Sequence, residues 1–215
     1  MAEFVHQFIP ASSTGPSFTL LALHGTGGDE SSLLSVAQAL APGAAVLSPR
    51  GKVLENGQAR FFRRIAEGVF DVKDVKFRAQ ELADFIEAAS ARYGFDRSRV
   101  AAVGYSNGAN IAAALLLLRP EVLAAALLFR AMVPFEPSEP PDLRRKPVLI
   151  CAGRQDQIVG PEEPTRLAKL LGDAGAAVTL HWSERGHRLA AEEITAARDW
   201  LSGLHFVGAA SAPAS

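Results

Sequence analysis

The pentapeptide Gly104-Tyr105-Ser106-Asn107-Gly108 sets a serine between two glycines, directly after one apolar run and directly before another. A hydroxyl is a poor nucleophile at neutral pH; it needs a base beside it and open access. A serine on a sharp turn from strand to helix meets the second need, because the turn lifts its oxygen clear of the sheet. The flanking glycines allow the strand and helix to cross closely. The bare pattern also occurs in ordinary glycine turns, so its weight comes from context. Residues 99–103 read as a buried strand and residues 109–118 as a buried helix, which is the context a nucleophilic serine requires.

A base for Ser106 belongs on a later loop at the same edge of the sheet. Of the five histidines, His6 and His205 lie near the ends of the chain and His24 sits in a glycine-rich loop. His181 falls inside an apolar strand, where a structural role is expected. His187 follows that strand in Glu184-Arg185-Gly186-His187 and is the base this reading selects. An acid must then orient the imidazole and stabilise its cation. Asp156 lies just past the strand of residues 147–152, whereas Asp142 precedes that strand and Asp173 lies in a helix-to-strand turn. The last two therefore fall at the opposite edge.

Two backbone N–H groups must face the negative charge that develops on the substrate oxygen. Asn107, the residue after the nucleophile, supplies one, and Thr26 in His24-Gly25-Thr26-Gly27-Gly28 supplies the other. The competing use of these glycines, to cradle a phosphate, lacks the Lys-Ser/Thr pair of a P-loop. It also lacks the last glycine of a dinucleotide fingerprint, where Glu30 stands instead.

The elements that must position these residues alternate between short apolar runs and longer segments of helical period, the pattern of a mostly parallel sheet covered by helices. Strands are expected over residues 18–23, 44–47, 99–103, 124–129, 147–152 and 177–182. Helices are expected from Asp29 or Ser31 to Leu40, then over 74–93, 109–118, 162–171 and 190–201. Residues 52–71 read as a long loop and 207–215 as a frayed tail. With no repeat or dividing linker, residues 1–206 read as one domain.

Composition narrows the function classes. With 22 basic and 23 acidic side chains, the net charge of −1 offers no basic surface for nucleic acid or anionic lipid. The apolar stretch from Ile111 is broken at Arg119-Pro120-Glu121, short of the ~18 apolar residues that a membrane span needs. One cysteine, Cys151, rules out an internal disulfide and suits a reducing compartment. The start of the chain has no basic segment leading into an apolar one, so a cytoplasmic location is expected. No H-x-x-x-H or paired-cysteine spacing points to a metal, and no cofactor motif is present.

The stretches Leu23-His24-Gly25-Thr26-Gly27-Gly28-Asp29-Glu30, Gly104-Tyr105-Ser106-Asn107-Gly108-Ala109, Gly153-Arg154-Gln155-Asp156-Gln157-Ile158-Val159 and Gly186-His187 resemble the carboxylesterase/phospholipase branch of the α/β-hydrolases. Small bacterial carboxylesterases and acyl-protein thioesterases belong to that branch. The resemblance spans nearly the whole chain. It implies an α/β-hydrolase fold with helices on both faces of the sheet and little or no lid. It also implies a triad of Ser106, His187 and Asp156 with Thr26 and Asn107 as oxyanion donors, and the possibility of a homodimer. Asn107 stands where many relatives have glutamine, and Gly160 precedes Pro161 where a proline commonly follows the Asp-x-x-Val stretch.

The expected activity is hydrolysis of small carboxylic esters. A thioesterase or lysophospholipase on the same triad is the neighbouring alternative, and a non-catalytic binding protein is the alternative of another class. Phe61, Phe62, Phe70 and Met132 are candidates for an apolar wall around the substrate, or for core residues that anchor a loop. Arg60, Arg63, Arg64 and Arg130 would either hold an acidic substrate group or pair with carboxylates of the protein.

Overall fold

The computed structural model describes residues 3–204. In chain order the strands are β1 (His6–Ile9), β2 (Thr19–Leu23), β3 (Ala45–Pro49), β4 (Val53–Glu55), β5 (Gln58–Arg60), β6 (Arg64–Ala66), β7 (Val69–Phe70), β8 (Val100–Tyr105), β9 (Ala125–Phe129), β10 (Pro147–Gly153) and β11 (Ala177–Ser183). The helices are α1 (Leu34–Leu40), α2 (Val72–Tyr93), α3 (Asn107–Leu118), α4 (Glu162–Asp173) and α5 (Ala191–Ser202). Seven strands form one sheet in the order β1-β3-β2-β8-β9-β10-β11. Only β1 runs antiparallel to its neighbour; the other pairs are parallel.

Burial on both faces explains why the central strands read as unbroken apolar runs. Successive side chains of a strand point to opposite faces. Leu21 and Leu23 of β2, Ala102 of β8 and Leu128 of β9 therefore pack into one core with α2, α3 and α4. Leu20, Ala22, Val103 and Leu127 pack into a second core with α1 and α5. These layers form the α/β-hydrolase architecture, and they bring the ends of β2, β8, β9, β10 and β11 to one edge. Helix α3 is apolar all round because it is buried along eleven of its residues. No helix of the described residues is long and apolar enough to cross a membrane.

Three parts of the chain differ from the sequence reading. Strand β1 is absent from it, because His6-Gln7-Phe8-Ile9 carries no strong alternation; pairing with β3 extends it. Helix α1 begins at Leu34, five residues after Asp29. The Asp29 carboxylate instead accepts from the Ser31 N–H and from the Ser31 and Ser32 hydroxyls, which holds residues 29–33 in turns. Those bonds, led by the Ser31 hydroxyl, lower its pKa to about 2. Residues 52–71 are not an open loop: β4 pairs with β5 and β6 with β7 in two antiparallel hairpins. The C-terminal tail expected over residues 207–215 lies outside the described residues.

Backbone packs closely around the turn at Ser106. A Cβ at Gly104 would lie 2.5 Å from the Gly108 carbonyl oxygen, and one at Gly108 would lie 2.0 Å from that of Leu23. In both cases the obstacle is backbone, which cannot swing aside. Gly108→Ala is therefore expected to destabilise the protein by about 3 kcal/mol or more in urea unfolding. Gly172→Ala, on the exposed side of α4 with open space around it, is expected to stabilise it by roughly 0.5–1 kcal/mol. Equal midpoints for the two variants would refute this account of the crossing.

Candidate active site

Ser106 sits between β8 and α3 with φ 52° and ψ −114°, a conformation that few residues with a side chain adopt. Its N–H donates to the Phe129 carbonyl at 2.8 Å, tying the turn to the end of β9. The Ser106 Oγ lies 3.0 Å from Nε2 of His187, and Nδ1 of His187 lies 2.8 Å from Oδ2 of Asp156. A carboxylate only accepts, so Nδ1 carries the proton toward Asp156 and Nε2 is free to accept from Ser106. The other Asp156 oxygen accepts the Ile158 and Val159 N–H groups at 2.8 and 3.0 Å. The carboxylate is thus buried but fully bonded, which fixes the imidazole it faces.

Thr26 and Asn107 also meet at this cleft with Ser106. Neither N–H has an acceptor among the described residues, so both are free to serve a ligand oxygen. The Asn107 side chain is engaged elsewhere. Its Oδ1 accepts the Phe61 N–H at 2.7 Å, fastening the loop after β5 to the start of α3. Asn110 does the same one turn further, accepting the Met132 N–H at 2.8 Å. Sequence reasoning missed both contacts, because the partners of these side chains come from segments distant in the chain.

Phe70 and Met132 line the cleft, as the apolar-wall reading expects. Phe61 and Phe62 do not. Both are buried in the core, with the Phe61 ring 4.7 Å from His24 and the Phe62 ring 5.1 Å from Phe70. The β4–β5 hairpin turns these two rings inward, so they support the wall from behind. The cleft is small, about 50 Å³. A larger cavity of about 400 Å³ lies between β1 and α2, against Phe4, His6, Phe85 and Tyr93, and holds none of these groups.

The arginines are engaged within the protein. Arg63 faces Asp71 and Asp74 at 3.3 and 3.6 Å. Arg60 and Arg64 line the cleft but share Glu55, at 3.1 and 2.8 Å, and Glu67 borders the same space. Two cations and two carboxylates balance there. Arg130 is wholly buried against Glu193. Cys151 is buried in β10, and burial pushes its thiol up to about 12, so it stays uncharged and inert. Among the described residues no group of three His, Cys, Asp or Glu side chains converges where a metal ion would sit.

His24 is structural. Its Nδ1 donates to the Gly25 carbonyl at 2.6 Å and its Nε2 accepts the Gly51 N–H at 3.0 Å, which joins the loops after β2 and β3. Only the neutral ring can make both bonds. His181 lies within β11, as expected, and His6 joins Tyr93 at 2.7 Å. His205 lies outside the described residues.

Residues 36–205 match the sequence profile of the Dienelactone hydrolase family. The Bacillus subtilis (strain 168) protein MhqD is 49% identical over 181 residues, covering 84% of this chain and 90% of MhqD. Among solved structures, the Bacillus cereus carboxylesterase superposes with a TM-score of 0.91 at 46% identity, covering 94% of each chain. Arabidopsis thaliana SOBER1, at 21% identity and a TM-score of 0.73 over 86% of this chain and 97% of its own, shares the fold.

Burial lowers the pKa of His24 below its ordinary value. As pH falls through the unfolded value of about 6.5, the unfolded chain takes up a proton that folded His24 resists, and stability is lost. Urea unfolding at pH 7.5 and 5.5 is expected to show this loss, and His24→Gln is expected to reduce it. An equal loss in the variant would mean that other groups cause it.

Proposed function

Because the chain belongs to the dienelactone hydrolase family, we propose that it is a serine carboxylesterase that cleaves small carboxylic esters through an acyl-enzyme. One observation carries the reading: the unbroken series from Ser106 Oγ to His187 Nε2 at 3.0 Å and from His187 Nδ1 to Asp156 Oδ2 at 2.8 Å. The likeness to the Bacillus cereus carboxylesterase over nearly the whole chain supports it.

In this mechanism Nε2 of His187 takes the Ser106 proton as Oγ attacks the ester carbonyl. The carbonyl oxygen becomes an oxyanion held by the Thr26 and Asn107 N–H groups, two donors with no partner among the described residues. Asp156 stabilises the imidazolium, and its two backbone N–H donors keep it charged and fixed. The imidazolium then returns its proton to the departing alcohol. A water molecule deprotonated by His187 attacks the acyl-enzyme, and the acid leaves as Ser106 recovers its proton.

The small cleft, about 50 Å³, favours short acyl groups. Phe70 and Met132 give the acyl group an apolar contact.

Ser106→Ala is expected to lower kcat on nitrophenyl acetate by several orders of magnitude, on the scale of the roughly million-fold loss in another triad hydrolase. A variant as active as the parent would sink the mechanism. Across a panel of acyl esters, acyl-thioesters and lysolipids, kcat/KM is expected to be highest for acetyl and propionyl esters. It should fall at least about tenfold by octanoyl, since few methylenes fit. A preference for lysolipids or long thioesters would replace the small-ester reading with the neighbouring one.

A further inference from the structure

The loop that carries His187 has few internal bonds, yet the imidazole must stand within a fraction of an ångström of its working position. What holds it is Arg130, at the end of β9. Its guanidinium is fully buried, and all five of its donors are used. Nε donates to the Gly186 carbonyl at 2.9 Å and a terminal nitrogen donates to the Arg188 carbonyl at 3.1 Å, so both neighbours of His187 are gripped. A further bond of 3.3 Å reaches the Cys151 carbonyl in β10. The remaining donors form a two-pronged contact with Glu193 of α5, at 2.6 and 2.8 Å. Glu193 is equally buried, and it also accepts the Ser183 hydroxyl at 2.9 Å and the Ala190 N–H at 3.0 Å.

The same guanidinium lies 3.8 Å from Oδ2 of Asp156, the oxygen that faces His187. The residue also holds φ at 59°, a backbone state that disfavours a side chain. A strained position, two buried charges and a complete set of bonds converge on one loop.

Building on the serine hydrolase reading, we propose that the Arg130–Glu193 pair is the positioning device for His187: Arg130 holds the loop, and Glu193 cancels its charge so that the imidazole can accept a proton. A buried ion pair contributes little net stability, and apolar residues of similar volume often replace one at no cost. Here two of the pair's donors bond the residues that flank His187. The other polar groups around His187 are Ser106 and Tyr105 from β8 and Asp156 from the loop after β10. Tyr105 donates to the His187 carbonyl at 3.1 Å. Arg185 and Arg188 belong to the loop itself, and Glu192 of α5 binds Arg185 at the surface at 2.7 Å. None of them bonds to Glu193, so removing the Glu193 charge leaves Arg130 with Asp156, at 3.8 Å and shared with His187, as its nearest counter-charge.

The test uses Glu193→Gln, Arg130→Lys and the paired apolar change Arg130→Met with Glu193→Met. The His187 imidazole is titrated by NMR, and kcat and KM on nitrophenyl acetate are measured across pH. In Glu193→Gln the guanidinium, no longer neutralised by Glu193, should draw on the Asp156 carboxylate and disfavour the imidazolium. The His187 titration and the acid limb of kcat/KM should both move to lower pH by roughly half a unit or more. Arg130→Lys keeps the charge and should leave that limb near the parent position. Its single ammonium cannot reach every acceptor, so kcat should fall about tenfold or more at similar KM. The apolar pair contains no lone buried charge, so it keeps the test open if Glu193→Gln fails to fold. It should retain the parent Tm within a few degrees and lose kcat by roughly 10–100-fold at similar KM. A folded apolar pair with parent kcat, or a Glu193→Gln titration that coincides with the parent, overturns the proposal. The NMR titration reads His187 whether or not Ser106 is the nucleophile; failure of that assignment would appear separately, as activity retained in Ser106→Ala.

Discussion

Strand β8 and helix α3 cross so closely at Gly104 and Gly108 that backbone meets backbone, with the β2 carbonyls behind them. The chain can make that crossing only by turning sharply at one residue, and Ser106 takes the strain with φ 52°. The same turn orients the first N–H groups of α3 at the cleft and lifts Oγ toward His187. The raised serine hydroxyl, the N–H at the start of α3 (unpaired among the described residues) and the entry angle of that buried helix are thus consequences of a single steric constraint.

Around this turn the site is assembled from parts that could not hold their positions alone. Asp156 is fixed by two N–H groups of its own loop, His24 joins the loops after β2 and β3, and Asn107 fastens the segment after β5. The hairpins of residues 53–70 add Phe70 to the cleft wall and bury Phe61 and Phe62 behind it. Charge is handled in the same way. The arginines at or near the cleft, Arg130 among them, are paired with carboxylates of the protein, and Ser106, His187 and Asp156 lie among balanced charges.

Much of this was legible in the sequence, for a physical reason. A parallel sheet covered on both faces must be written as short apolar runs separated by helical periods, and the ends of those runs share one edge. Ser106, Asp156, His187 and Thr26 each follow such a run, so their meeting could be inferred from chain order alone. Cys151 was likewise legible as a buried residue, and His181 as part of a strand, from their places in apolar runs. Segments without a strong period were harder. Strand β1 is extended by its partner, α1 starts late because Asp29 bonds locally, and the hairpins of residues 53–70 are too short to leave a pattern.

What the sequence determined by itself was the architecture and the meeting of Ser106, Asp156, His187 and Thr26 at one edge of the sheet, since both follow from burial period and from the order of the strands. Only the tertiary structure decided how the site is held. Arg130 and Glu193 are 63 residues apart, and nothing local marks either as buried. Glu193 reads as an ordinary acidic residue in the first turn of α5, and Arg130 as one more arginine beside an apolar strand. Phe61 and Phe62 could have faced the substrate or the core until the hairpin set their direction. Side chains of this kind are chosen by packing and by hydrogen-bond partners brought from distant parts of the chain. Those partners exist only once the sheet has formed.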